Sequence, residues 1–192
     1  MSMGDGSGTV VGIDPKELRR TCGAFATGVT VITARDSAGD HGMTANAFMS
    51  VSLEPPLIVV SVSRKARLIG KIEATGRYGV SILAEHMEHI AWHFAGKPQA
   101  DLTDLFEDFH GLPAIRGAVA HFAARLHQAV DGGDHFLYIG AIEGIARMEG
   151  RPLTFHEGKF GALPRPGWSQ TVWPPGKAGD AVGYFDETHE LW

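Results

Sequence analysis

The chain has 192 residues, 44% of them hydrophobic and 20% charged, the balance of a protein that buries a core. Its formal charge of −5 is opposite in sign to the basic surplus of a general nucleic-acid binder. Cys22 is the only cysteine, which excludes an internal disulfide, a dithiol redox pair and a cysteine-based zinc site.

Residues 1–12 are Gly-rich and lack the basic start and apolar run of a signal peptide, so they are expected to be a flexible tail on a cytoplasmic protein. No apolar run approaches the length of a membrane span. Asp14-Pro15-Lys16-Glu17 then predicts a helix start, with a capping aspartate, a proline suited to the first turn and a capping-box glutamate. Leu18, Cys22 and Phe25 form an apolar stripe on that helix, Cys22 being read as a small core residue, and Gly28 ends it. Residues 29–34 predict a strand, 36–40 a turn, and 41–51 a second extended segment.

Glu54-Pro55-Pro56 breaks the pattern, and residues 57–63 carry the clearest strand signal. A helix is expected over 65–75, stopping near Gly76, followed by a strand at 78–83. A second helix over 85–95 places Met87, Ile90, Ala91 and Phe94 on one side. His86, His89 and His93 share the other face. Without a carboxylate or cysteine anchor at ligand spacing this reads as a solvated polar face rather than a metal site. Residues 118–130 and 135–148 predict two long strands joined by the hairpin signal Asp131-Gly132-Gly133-Asp134. Gly150-Arg151-Pro152 turns the chain into a last strand at 153–156. Six or seven strands with few short helices predict a mainly β fold, a barrel of antiparallel strands.

No G-x-G-x-x-G follows a strand, and neither a Walker A loop nor a G-x-S-x-G elbow is present. With no dithiol available, any redox chemistry must come from a cofactor. The run from His41 to Leu57 packs small and hydroxylic residues, one amide and a glycine into an extended segment without period-2 alternation. Such a strand lets a flat ligand approach its backbone, with Thr44 and Asn46 offering hydrogen bonds to a heteroaromatic edge; an ordinary half-buried strand is the other reading.

This run resembles the signature of the flavin reductase family whose members supply reduced flavin to two-component monooxygenases. The resemblance continues through Gly23-Ala24-Phe25-Ala26-Thr27-Gly28-Val29-Thr30-Val31-Ile32-Thr33, Ser81-Ile82-Leu83-Ala84-Glu85, Gly133-Asp134-His135-Phe136, Gly150-Arg151-Pro152-Leu153 and Lys159-Phe160-Gly161. It implies a domain over 13–163 with the FMN-binding split β-barrel fold, a Greek-key core and a few short flanking helices. It also implies a homodimer, FMN or FAD as flavin, NADH or NADPH as hydride donor, and a flavin-dependent oxygenase as partner. Residues 164–192 are then a Pro- and Gly-rich linker and a tail, whose Tyr184, Phe185, Leu191 and Trp192 are expected to pack on the domain or its partner.

By the same resemblance, Met43, Thr44, Asn46 and Ala47 lie beside the isoalloxazine ring. Ser61, Val62 and Ser63 with the basic loop of Arg64, Lys65 and Arg67 meet the ribityl chain and phosphate, helped by N–H groups of the following helix. Ser81 and Phe160 complete the flavin contacts, and His135 stands near flavin and nicotinamide as the catalytic candidate, where a structural hairpin histidine is the alternative. Members often carry Asn at the position of Ser81, Ser or Thr at those of Ala47 and Met49, and Tyr at that of Phe160. The implied activity is hydride transfer from the nicotinamide to the flavin. The alternatives are a flavoenzyme of the same fold serving another acceptor, such as ferric iron or oxygen, and a non-enzymatic flavin-binding module.

Overall fold

Asp14 caps the first helix as the sequence predicts: its carboxylate accepts the Lys16 N–H (3.1 Å), and Pro15 opens α1 (Pro15–Gly23). The structure is a computed structural model that describes residues 12–164; the expected N-terminal tail, and the C-terminal tail with Tyr184, Phe185, Leu191 and Trp192, lie outside the described residues. The helix ends at Gly23 rather than Gly28, because the Ala24 and Phe25 N–H groups fold back onto the carbonyls of Thr21 and Cys22. No residue of α1 is buried: Cys22 is exposed rather than core, and Phe25, beyond the helix, is 77% exposed. Periodicity identifies the apolar side of a helix but not whether one chain supplies the surface that covers it.

The chain continues through β1 (Thr27–Gly28), β2 (Thr30–Asp36) and β3 (Gly39–Ala45), then β4 (Phe48–Leu53) and β5 (Pro56–Ser63). The segment read as one extended run over 41–51 is therefore two strands with a corner at Asn46–Ala47. After α2 (Leu68–Thr75), Gly76 takes the left-handed conformation (φ 65°) that closes a helix end without Cβ strain. Next come β6 (Arg77–Ile82), α3 (Glu88–Phe94), β7 (Phe106–Phe109), β8 (Leu112–Ile115), β9 (Ala120–Gly132), β10 (His135–Arg147), β11 (Leu153–His156) and β12 (Lys159–Ala162). The fold is mainly β, and every strand pairing among the described residues is antiparallel.

Seven strands form the main sheet in the order β3-β2-β6-β9-β10-β5-β4; β1-β11-β12 and β7-β8 form two small ones. The main sheet is open, with β3 and β4 at its edges, yet these edges are joined by only Asn46 and Ala47. A link that short spans at most about 11 Å between Ala45 and Phe48, so the sheet curls until its edges meet at one corner. The concave side holds one core cluster, including Ile32, Val60, Val62, Tyr78 and Tyr138, which α2 covers with Leu68 and Ile72. Tyr78 donates its hydroxyl to the Tyr138 carbonyl (3.1 Å), over Gly140, where a Cβ would collide with the phenol. A second cluster lies under α3, where Met87, Ile90 and Ala91 are buried with Val29, Val31 and Leu83.

Candidate functional site

The Asn46–Ala47 corner is exposed, and its backbone is tied down: the Ala47 carbonyl accepts the Ser61 N–H (3.1 Å) and the Asn46 carbonyl that of Phe48 (3.1 Å). The Asn46 amide is thus held at the surface by its strand while remaining free to meet a ligand. Register then builds a wall on the convex side of the sheet. Met49 opposes Val59, which opposes Ile139; Ser61 opposes Leu137, and Ser63 opposes His135. Period-2 alternation puts these side chains on one face and the buried Val60, Val62 and Tyr138 on the other.

One cleft adjoins this corner, and a second opens along the start of β3 and the β5–α2 loop. One, of about 630 Å³, lies between the convex wall and the α1–β1–β11 side, lined by Asn46, Ala47, Ser61 and Leu137 opposite Phe25 and Phe155. The other, of about 780 Å³, is lined by Met43, Lys65, Arg67, Phe94 and Phe106 among others. Both chain segments that carry expected flavin contacts run from one cleft to the other: Met43 to Asn46 along β3, and Ser61 to Lys65 out of β5. Three or four residues of extended chain span about 10–14 Å, so a ligand with a flat ring and an anionic tail can reach both.

Charge at the second cleft suits such a tail. Lys65 and Arg67 form no ion pair among the described residues, and Arg67 begins α2 without a side-chain cap, leaving first-turn N–H groups for an anion. The His41 imidazole there is held below its ordinary pKa first by burial and then by the nearby Lys71 and Arg67 charges, so the local potential is positive. Arg64 is spent elsewhere: it stacks on Phe136 (4.0 Å to the ring centre), donates to the Gly133 carbonyl (2.6 Å) and pairs with Asp131. This clamps the β9–β10 hairpin to the end of β5 and leaves two loop cations for a ligand.

His135 begins β10 one row beyond the Ser61–Leu137 pair, half-buried, and lines neither cleft. Its Nδ1 lies 2.7 Å from Asp134 Oδ1, whose carboxyl this contact holds below the usual range. A carboxylate can only accept, so Nδ1 carries the proton and Nε2 is the nitrogen left for another partner.

Several expected contacts go elsewhere. Ser81 is 1% exposed and lies in the interior: its Oγ accepts the Ile115 N–H (2.9 Å) and stands 3.1 Å from His121 Nδ1. Val62 is a core side chain. Thr44 donates its hydroxyl to the Ala91 carbonyl (2.7 Å), tying β3 to α3, and Phe160 packs edge-on against Trp92 with ring centres 5.2 Å apart. Of the three histidines expected on one helix, His86 precedes α3 and is exposed, as is His89, whereas His93 Nδ1 accepts the Gln99 N–H (3.1 Å), which ties down the next loop. Sequence reasoning passed over Phe25, Leu137 and Phe106 as lining residues. Gly42 held a usable signal for Phe94: a Cβ there would lie 2.7 Å from the Phe94 ring, so the glycine marks a close approach to β3.

The description of the flavin reductase like domain matches residues 22–164 of this chain. The chain is 42% identical over 154 residues to the NADH-dependent flavin reductase of a Rhodococcus species, across 79% of this chain and 88% of that protein. It is 39% identical over 151 residues to the reductase component of 4-hydroxyphenylacetate 3-monooxygenase of Thermus thermophilus, across 78% and 92% respectively. The solved structure of the flavin reductase PheA2 in its native state is similar with a TM-score of 0.76 and 42% identity, covering 80% of this chain and 100% of that one. With most of its length matched and its strands arranged as in a solved relative, this chain belongs to the flavin reductase like domain family.

Proposed function

We propose that this protein is an NAD(P)H-dependent flavin reductase that passes reduced FMN or FAD to a separate oxygenase component. The observation that carries the reading is the pair of clefts crossed by the Met43–Asn46 and Ser61–Lys65 segments, with an amide at one end and two cations at the other. When bound, the flavin supplies the hydride acceptor and the nicotinamide the donor. Asn46 offers amide hydrogen bonds to a ring edge, the Ser61–Leu137 wall excludes water from one face, and Lys65 and Arg67 hold the phosphate end. His135, oriented by Asp134, presents Nε2 to whatever approaches the convex wall beside Ser63.

That wall supports a homodimer. Met49 (60% exposed), Val51, Leu53 (65% exposed) and Leu137 leave an apolar surface on the same side as the first cleft. A second copy there would cover it and narrow the cleft. The split β-barrel, with its Greek-key core, is supported by the corner that brings β3 and β4 together without pairing them. No helix among the described residues is long and apolar enough to cross a membrane, and we assign a cytoplasmic location on family resemblance.

Oxidation of NADH and of NADPH by the purified protein, measured with and without added FMN or FAD, tests the function. Turnover that requires added or bound flavin is expected. Flavin binding without nicotinamide oxidation would reduce the protein to a binding module, and reduction of ferric iron without release of reduced flavin would assign the other acceptor.

A further inference from the structure

Arg64 stands next to the loop cations Lys65 and Arg67, yet its guanidinium turns toward the β9–β10 turn. Its Nε donates to the Gly133 carbonyl (2.6 Å) and its backbone N–H to the Asp134 carbonyl (3.0 Å), so one residue holds consecutive carbonyls of that turn. Nη2 reaches one carboxylate oxygen of Asp131, whose other oxygen accepts the Gly133 N–H (3.0 Å). The guanidinium also lies 4.0 Å over the centre of the Phe136 ring. An exposed ion pair by itself is worth little. Here a carbonyl, a carboxylate and an aromatic face are met at once by a planar donor fork, which a point charge on a flexible stem cannot do.

The carbonyls that Arg64 holds belong to the peptide units on either side of Asp134. Because each unit is planar, fixing both fixes the backbone angles of Asp134, and with them the place of the His135 ring against the carboxylate that orients it. Gly133, with φ at 78°, is the pliant point that this arrangement stiffens. Arg64 works from the far side of the sheet. Phe136 packs with Val62 and Tyr138 on the core side, whereas His135 opposite Ser63 faces the convex side. Arg64 thus lies across the strand from a ligand that meets His135 and reaches it only through the turn.

We infer that Arg64 is a positioning residue for hydride transfer: it fixes the β9–β10 turn so that His135 keeps its place, and it does not bind the flavin phosphate. The inference rests on the flavin reductase reading above, with His135 as its catalytic candidate.

Anaerobic stopped-flow reduction of bound flavin by NADH, with equilibrium flavin titration of the same variants, tests this. Arg64→Ala is expected to slow reduction about tenfold or more, the scale of a small misplacement of a reacting group, and to leave flavin affinity within about twofold. Arg64→Lys keeps a charge but lacks the fork, so it should be as slow as Arg64→Ala. In a protein that already carries His135→Ala, adding Arg64→Ala should change the rate by less than about twofold, because both act through one group. A merely structural loss would slow both backgrounds alike. Asp131→Asn removes the ion pair and retains an oxygen for the Gly133 N–H; it should show the same pattern more weakly if Arg64→Ala proves poorly folded. Weaker flavin binding in Arg64→Ala that Arg64→Lys restores would assign Arg64 to the phosphate and overturn the inference. A wild-type rate in Arg64→Ala or in His135→Ala, or equal slowing in both backgrounds, would also overturn it and leave the reductase reading intact. Absence of flavin-dependent NADH oxidation by the wild type would refute that reading, and the inference with it.

Discussion

Replacement of Ser81 by alanine separates what the family resemblance implies from what the packing requires. The resemblance puts the Ser81 hydroxyl against flavin. The structure buries it, with Oγ accepting the Ile115 N–H at 2.9 Å and therefore turning its own proton toward His121 Nδ1 at 3.1 Å. Ile115 is fully buried and His121 is 3% exposed, so neither group can turn to water when the hydroxyl is removed. Each orphaned buried donor or acceptor costs about 1–3 kcal/mol, and the missing oxygen is too small to admit a water, so Ser81→Ala should destabilise the fold by about 3 kcal/mol. For a domain of this size that lowers Tm by about 6–12 °C. Thermal unfolding followed by circular dichroism reads the first effect, and flavin titration of the same sample reads the second, where affinity should stay within about twofold of wild type. A variant that keeps its Tm but binds flavin tenfold more weakly would show that the hydroxyl serves the ligand, and the structural argument would fail.

Three further predictions follow from the same geometry. His135→Ala should slow reduction of bound flavin by about ten- to a hundredfold, one lost contact being worth about 1.4–2.7 kcal/mol of barrier, while changing flavin affinity less. Anaerobic stopped-flow measurement isolates that step, and a wild-type rate would return His135 to the status of a hairpin residue. Met49→Asp combined with Leu53→Asp places two charges on the apolar convex face and should yield monomers by light scattering; a wild-type protein that is already monomeric at micromolar concentration would remove the dimer. Burial holds the neutral His121 below its ordinary pKa, and a depressed folded value means the unfolded chain binds the proton first as pH falls. Stability should thus be complete above about pH 6.5 and decline below it by up to about 1.4 kcal/mol per unit, with His41 adding in the same direction. Replacing His121 with Gln should flatten that slope, and an unchanged slope would exclude His121 as its source. The carboxylates of Asp36, Asp108 and Asp131, held low by Lys71, Arg35 and Arg64 respectively, act only at more acid pH.

Many elements could be placed along the chain because local signals coincided with tertiary need, although their order in the sheet could not. Asp14 and Pro15 start a real helix, Asp131-Gly132-Gly133-Asp134 is a real hairpin turn, and residues 57–63 form β5 one residue longer. The failures share a cause: each depended on a surface far away in sequence. Cys22 and Phe25 look like core in a helical stripe, but the described chain offers nothing to cover them. The strands β7 and β8 escaped notice because each has four residues, Pro113 interrupts the second, and His110 and Gly111 turn between them with positive φ. The segment 41–51 shows no sign of its corner, since Asn46–Ala47 is small and polar like its neighbours, and only the pairing of Ala47 with Ser61 reveals it. At the site, the resemblance named Asn46, Ala47, Ser61, Lys65 and Arg67, which the structure sets along the two clefts. It could not foresee that Ser81 would be claimed by His121 and Ile115, a contact made through β8, a strand the sequence had not disclosed.

The order of strands in the main sheet has a consequence for how the protein acquires its ligand. Before β9 emerges from the ribosome, the chain can assemble β2, β3 and β6 as one piece and the β4–β5 hairpin as another, but nothing pairs the two across the sheet. The β9–β10 hairpin alone bridges them, β9 joining β6 and β10 joining β5. The convex wall and the row containing Ser63 and His135 therefore come into being only when that late hairpin docks. Pairings so distant in sequence form slowly, because the chain between them must be ordered first. Until then Ser61 has no Leu137 opposite it and the first cleft lacks one wall, although the residues that line the second cleft, 40–106, have already been made; the ligand's binding energy favours the folded molecule it binds. A chain without flavin would thus lack that stabilisation, although β11 and β12, which follow the β9–β10 hairpin, complete the described fold.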